Sequence, residues 1–462
     1  LRIYRESSGG KNWNSPNHKN RFGKVPFAVN GYQIHSGNEL IASGQRATPL
    51  LWVGTAQTGI SAGLTHFWQN FPKAIEVKDD SLLIGFFPKY YEDIHELQGG
   101  EQKTETIYLD FSANIDGLMW VREPLTPYIT PDEYERTIAI PNFPLAQNKA
   151  DADYQDLAEA AIKGDNSFIA KREVIDEYGW RNFGDVYADH EAVGSSAKYF
   201  ISHYNNQYDL IYGMFRQFIS TGDLSWYRVM RELAVHVRDI DIYHTDEDRD
   251  EFNHGLFWHT DHYIDAATST HRSFSREFLK VKDPRFCGGG PGTEHCYTTG
   301  LKFHYYLTGD SISREAAMGL ADWGIRAAVS PATLLGVFYK FKSRLPVWKN
   351  ILMGAKVSSH SYPLSRGTGN VVIACLDALD LSGDMVYLQN AEDFIKGCVH
   401  PFDDVDGRNL LEAESHWSYT VFLCAIGRYL DKKIELGELD RMYAYSRESL
   451  LAYATWMIGN EY

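Results

Sequence analysis

The chain has little of several things that would assign it a class at once. Cysteine is sparse, with 5 in 462 residues, at 287, 296, 375, 398 and 424. They cannot all pair and none stands in CxxC spacing, which argues against a disulfide framework and against a thiolate metal knuckle. Cys375, Cys398 and Cys424 lie among apolar neighbours and are expected to be core thiols. No apolar run reaches the length of a membrane-spanning helix, so no membrane partner is expected. Positive charge is also short, with 45 Lys and Arg against 61 Asp and Glu and a formal charge of −16. No basic stripe appears, and nucleic acid is therefore not an expected partner. An acidic chain can still bind an acidic glycan through a few cations gathered in one cleft.

What is abundant is aromatic surface: 29 Tyr, 24 Phe and 11 Trp. Tyr and Trp join a flat apolar face to a polar handle, which suits stacking on sugar rings as well as core packing. The length exceeds what one core usually supports, so two or three domains are expected. Ten of the 16 Pro precede residue 145. In that part "TIYLDF", with Ile107, Leu109 and Phe111 on one face, and "LLWVG", "SLLIGFFP" and "GLMWV" read as short strands bounded by Gly, Pro or Asn. Residues 1–150 are expected to form an antiparallel β-sandwich, incomplete on its N-terminal side because Leu1 already stands in strand-like sequence, with any signal segment upstream. Beyond residue 150 apolar residues recur at helical spacing, as in "SWYRVMRELAVHVRDI".

The helical part repeats itself faintly in "FISTGDLSWY", "YYLTGDSISR" and "LDLSGDMVYL". Gly222, Gly309 and Gly383 are expected to end one helix in the left-handed conformation, and Asp223, Asp310 and Asp384 to cap the next. About six such hairpins fit residues 151–462 at typical helix and loop lengths, giving an (α/α) toroid. Counting back along each helix from its Gly reaches "HYNNQYD", "TEHCYTTG" and "SRGTGN", and "ESHWSYT" opens a fourth helix in the same way. Helix N-termini carrying His, Asn and Arg would then line one mouth, with positive dipole ends suited to an anionic sugar.

Seven strings, "ESSGGKNWNSPNH", "FWQNFPKAIEV", "HELQGGEQK", "YGWRNFGDVYADHE", "SHYNNQYD", "GLFWHTDHY" and "GGGPGTEHCYTTG", together resemble the exo-rhamnogalacturonan lyase family over the stretch from the first residues to about residue 325. The resemblance implies a β-sandwich followed by an (α/α) toroid, usually after a further β domain, in a secreted or periplasmic lyase that acts on an acidic, rhamnose-containing polysaccharide or oligosaccharide. Related proteins are similar to rhamnose-glucuronate lyases, which leaves galacturonate and glucuronate both open.

Elimination needs a cation on the uronate carboxylate, a base for the C5 proton and an acid for the leaving O4. Arg181, Asn205, Asn206 and Arg272 are candidates for the first task, and Tyr204 and His203, then His259, His262 and Tyr263, for proton transfer. Asp189, His190 and Glu191 are expected to order the rim and bind hydroxyls, alongside Glu294, His295, Tyr297, Arg366 and His416. Two other readings stand beside this one. An inverting glycoside hydrolase would use carboxylates such as Asp189, Glu191, Asp261 or Glu294, and a non-catalytic glycan-binding protein would use the same rim for affinity. No metal ligand set is indicated. In the acidic run from Asp246, Glu251 stands where an EF-hand loop needs Gly and Phe257 where it needs its last Glu, so a solvated loop is expected and calcium elsewhere stays open. No cofactor is expected, and the oligomeric state is left open.

Overall fold

The computed structural model describes residues 1–140, 152–188, 202–203, 206–247, 252–257, 291–328 and 356–461, apart from 21, 23, 56, 80, 96, 98, 113, 114 and 359. The expected break near residue 150 lies outside these. An antiparallel β region comes first and a helix-rich region follows. Two compact units emerge, one built chiefly from Leu1–Asn205 and Leu210–Asp241, the other from Asn206–Asp209, Ile242–Trp258 and Pro291–Tyr462.

In the first unit, strands β1 (Arg2–Arg5), β2 (Tyr32–Ser36), β3 (Glu39–Gly44), β6 (Lys73–Lys78) and β7 (Ser81–Gly85) make a five-stranded sheet in the order β3-β2-β1-β6-β7. Strands β4 (Leu50–Gly54), β5 (Gly59–Leu64) and β8 (Ile107–Asp110) make a three-stranded one. Alternation along the strands turns Ile3 and Ile75 of the larger sheet and Leu64 of the smaller into one apolar cluster with Phe67, against which Ile34, Leu51, Ile84 and Ile107 pack. "LLWVG" and "SLLIG" are strands as expected. Two expectations need correction. The strand of "TIYLDF" stops at Asp110, which leaves Phe111 exposed beyond its end. "GLMWV" is not a strand but part of a 3-10 helix over Ile115–Val121, because its inward residues Leu118 and Val121 are three apart, the period of that helix, while Met119 and Trp120 face out.

Helices α1 (Pro131–Thr137), α2 (Ala152–Ala160), α3 (Phe168–Ile175), α4 (Leu210–Thr221) and α5 (Leu224–His236) complete the described part of this unit, with two short strands, β9 (Tyr187–Ala188) and β10 (Ser202–His203), paired antiparallel. Helices α4 and α5 form a hairpin. The second unit holds α6 (Thr299–Thr308), α7 (Ser311–Ala328), α8 (Arg366–Ser382), α9 (Met385–Cys398), α10 (Ala413–His416), α11 (Tyr419–Glu435) and α12 (Arg441–Asn460).

The repeat is built as its residues dictate. Gly222, Gly309 and Gly383 have φ of 71°, 72° and 72°, where a Cβ would be strained, and each N–H returns to the carbonyl four residues back at 2.7 Å. Asp223, Asp310 and Asp384 each accept the N–H two residues on through Oδ1, at 2.8, 3.1 and 2.9 Å. Thr221, Thr308 and Ser382 accept the N–H of those aspartates at 3.2, 3.2 and 3.1 Å, so all three turns close with one bonding scheme.

Helix α8 packs against α6, α7, α9 and α11 and is buried nearly all round, with the apolar run Val371–Leu376 and then Ala378, Leu379 and Leu381 facing these neighbours. Val371, Cys375 and Leu376 meet Phe394, Phe422 and Tyr429 in the main core of this unit. Cys296, Cys375 and Cys398 are buried free thiols, and burial pushes that of Cys296 up to about 12. Cys424, expected in the core, is exposed, because on α11 it lies opposite the inward stripe of Phe422, Ile426 and Tyr429.

One carboxylate lies inside the α8 core. Asp377, fully buried, accepts the hydroxyls of Thr298 and Thr299 on Oδ2, both at 2.7 Å. Its Oδ1 meets Lys302 Nζ at 2.6 Å and Arg428 Nη2 at 3.1 Å. Burial alone would raise this carboxyl, but the two cations outweigh it and hold the pKa at about 2. The network therefore fixes the first turn of α6 against α8.

Candidate functional site

The first turn of α6 carries what the sequence placed at a mouth. A 3-10 turn over Thr293–His295 leads through Tyr297 into α6, and Asp209 accepts the Gly300 N–H at 3.0 Å, capping the helix from the segment that precedes α4. In that segment Asn206, Tyr208 and Asp209 all have φ of 57°, a left-handed conformation that Asn and Asp adopt more readily than other side chains and that is uncommon for Tyr. Asn206 is fully buried and its amide donates to Asp209 Oδ1 at 3.4 Å, so part of its task is to close this turn.

Arg366, the first residue of α8, stands at the convergence. Its Nη2 donates to His295 Nε2 at 3.3 Å, and Nη1 lies 3.5 Å from the Tyr208 hydroxyl. The guanidinium faces two aromatic rings, Trp417 at 5.4 Å and Tyr208 at 5.7 Å from the ring centroids. A donating Arg obliges His295 Nε2 to present its lone pair, which places the ring proton on Nδ1. The His295 and Tyr297 rings are 5.9 Å apart. Burial pushes the Tyr297 phenol up to about 12, against the pull of a backbone hydrogen bond from Tyr208 and of the Arg366 charge. This phenol is neutral at pH 7 and suited to give a proton rather than take one.

Gly367 allows a close approach: a Cβ there would stand 2.7 Å from Thr293 Oγ1 and 3.2 Å from Glu294 Oε1 and would push these side chains aside. The exposed Glu294 is brought to the start of α8 in this way, and its carbonyl accepts the Asn370 amide at 2.9 Å. His416 ends α10 immediately before Trp417, and its buried Nδ1 has no hydrogen-bond partner among the described residues.

Asn206, Glu294, His295, Tyr297, Arg366 and His416, six of the residues singled out from the sequence, thus all belong to the second unit, in or next to its short helical turns and helix ends. Tyr208 and Trp417, which complete the surroundings of Arg366, were not singled out, although they stand inside the quoted strings "HYNNQYD" and "ESHWSYT". Tyr204, Asn205, Asp189, His190, Glu191, His259, Asp261, His262, Tyr263 and Arg272 lie outside the described residues, and of His203 only the strand backbone, paired with Tyr187, is described.

Arg181 belongs to the other unit. It lines a cleft of about 110 Å³ with residues of "NSPNH", "NFP", "HELQGGEQK" and "YGWRN". Gly179 and Trp180 are held there by backbone bonds to Gln69 and Phe71, at 2.7 and 3.0 Å. Arg181 Nη2 meets Glu101 Oε2 at 3.3 Å and its guanidinium lies 5.3 Å from the Trp180 ring. In the same unit the buried Asp185 faces His236. His236 Nε2 lies 3.5 Å from Asp185 and 3.6 Å from Asp241, which makes these charge contacts rather than hydrogen bonds. Burial would lower the imidazole pKa, but the two carboxylates raise it to about 9.

Among the described residues no group of three or more His, Cys, Asp or Glu is placed to hold a metal, and no helix is long and apolar enough to cross a membrane. In the acidic run, exposed Asp246 pairs with His254 at 2.7 Å. No protein family and no curated protein matches the chain.

Proposed function

We propose that the protein is a polysaccharide lyase of β-sandwich and (α/α) toroid architecture, which cleaves a rhamnose-uronate linkage in an exo fashion by β-elimination at the Arg366 rim. The observation that carries this reading is the position of Arg366, a cation whose Nη2 rests on an imidazole lone pair with a protonated phenol alongside. A uronate carboxylate is a better partner for the guanidinium than a neutral imidazole, because both donors are charge-assisted and can bind in parallel. When Arg366 turns to the carboxylate, His295 Nε2 is released. The lone pair takes the C5 proton, the C–H electrons form the C4–C5 double bond, the C4–O4 bond breaks, and the Tyr297 phenol supplies the proton to O4. The guanidinium stabilises the charge that builds on the carboxylate as C5 loses its proton. Separate base and acid suit galacturonate, whose C5 proton and O4 lie on opposite faces of the ring, so rhamnogalacturonan is the favoured substrate, with rhamnose-glucuronate ends of arabinogalactan second.

The test is to incubate the protein with each glycan and follow ultraviolet absorbance and reducing ends together. Elimination gives both, through a conjugated uronate. Reducing ends without the absorbance would mean hydrolysis, and binding with neither signal would mean a glycan-binding protein. Tyr297→Phe is expected to lower kcat by about 10²- to 10⁴-fold.

A further inference from the structure

The cleft of the first unit has chemistry of its own. Asn17, nine-tenths buried, has neither side-chain polar atom bonded among the described residues. The same holds for Asn182 Oδ1 and for His95 Nδ1, and all three residues line the cleft. Native proteins leave few such atoms, because each costs about 1–3 kcal/mol when nothing meets it. Four such atoms on three residues that line one cleft point to a ligand whose entry would bring them partners. The His95 tautomer follows from its surroundings: Nε2 lies 3.2 Å from the Pro88 carbonyl, which only accepts, so Nε2 carries the proton and Nδ1 a lone pair. Burial lowers the pKa of this imidazole, which keeps it neutral.

The orphan set is thus three acceptors, Asn17 Oδ1, Asn182 Oδ1 and His95 Nδ1, with one amide donor, Asn17 Nδ2. Acceptors repel carboxylate and phosphate and call for hydroxyl groups. The charged side chains of the cleft offset one another: Arg181 is paired with Glu101, and Lys19 and Asp93 in the lining contribute one charge of each sign, while His18 Nε2 is held 2.7 Å from Asp176. Phe27, Phe71 and Trp180 give the walls flat apolar faces. At about 110 Å³ the cleft has several times the space that one water needs. We propose that this cleft is a binding site for a neutral pyranose, separate from the Arg366 rim.

The proposal concerns binding alone, so it stands or fails independently of elimination. The test is calorimetric titration of the full chain, as wild type, Asn17→Ala and Asn182→Ala, with methyl α-L-rhamnopyranoside, methyl α-D-galactopyranoside and sodium galacturonate. At least one neutral glycoside is expected to bind the wild type with Kd on the order of 1 mM and about tenfold more weakly in each variant. Galacturonate affinity is expected to stay the same in all three proteins. Melting temperatures of the variants should equal or exceed that of the wild type, since buried atoms without partners are removed. The proposal is overturned if no neutral glycoside binds at about 20 mM, if such binding is unchanged in both variants, or if galacturonate affinity is what the variants lose. A lowered melting temperature in Asn17→Ala would also overturn it, by showing that the amide is bound within the fold.

Discussion

Asp377 offers the sharpest test of how α6 is held. Replacing it by Asn keeps the shape and removes the charge. The hydroxyls of Thr298 and Thr299 can still donate to the amide oxygen, but the new NH2 group would face Lys302 and Arg428, two other donors. Arg428 is about a third exposed and can turn to water, whereas Lys302, with a side chain 4% exposed, cannot. Lys302 retains Asp380 at 2.7 Å. Breaking a buried pair costs about 3–5 kcal/mol, and the retained partner places Asp377→Asn near the lower end. The pH dependence gives a second estimate. A carboxyl that titrates at about 2 in the fold and at its ordinary 3.8 when unfolded contributes stability that is present above 3.8 and lost as pH falls toward 2. That amounts to about 2.4 kcal/mol. Urea unfolding followed by tryptophan fluorescence should show a loss of about 3 kcal/mol at pH 7 and a flatter dependence between pH 4 and 2 in the variant. Asp377→Leu combined with Lys302→Met should lose less than Asp377→Asn alone, because no charge is then left buried. A loss under about 1 kcal/mol for Asp377→Asn, or strict additivity in the double variant, would refute the assignment.

Other expectations follow from the same geometry. Alanine at Asp223, Asp310 or Asp384 should cost about 1 kcal/mol each and add when combined, read from urea midpoints. His236 titrates at about 9 in the fold against 6.5 ordinarily, so its contribution is complete below 6.5 and lost as pH rises through 9. Stability should therefore fall by up to about 3 kcal/mol between pH 6.5 and 9.5, and His236→Gln should abolish that fall. An unchanged slope in the variant would contradict the placement of His236 between Asp185 and Asp241.

The sequence was most legible where structure is decided within a few residues. The TGD turns are of this kind, since a left-handed Gly, a hydroxyl and a capping Asp act on backbone groups no more than four positions away. The gathering of "NNQYD", "TEHCY", "SRG" and "SHW" was also readable, because helix length carries each string from its turn to the opposite end. "GLMWV" was misread because two apolar residues three apart satisfy a 3-10 helix as well as a short apolar run satisfies a strand. Cys424 was misread because apolar neighbours in sequence do not share a helix face. That Arg181 and Arg366 belong to different compact units depends on packing between distant segments, for which no local pattern exists. Tyr208 and Trp417 gain their meaning only from the guanidinium they face.

The measurement that bears most directly on the account is ultraviolet product formation from rhamnose-capped arabinogalactan and from rhamnogalacturonan by the wild type, Arg366→Lys and Asn17→Ala. The wild type and Asn17→Ala should both release conjugated uronate from at least one of these glycans. Arg366→Lys, which keeps the charge but loses the parallel donors, should fall by about 10²- to 10³-fold in kcat/KM. Conjugated product at an undiminished rate from Arg366→Lys, or none from the wild type with either glycan, would contradict elimination at the Arg366 rim.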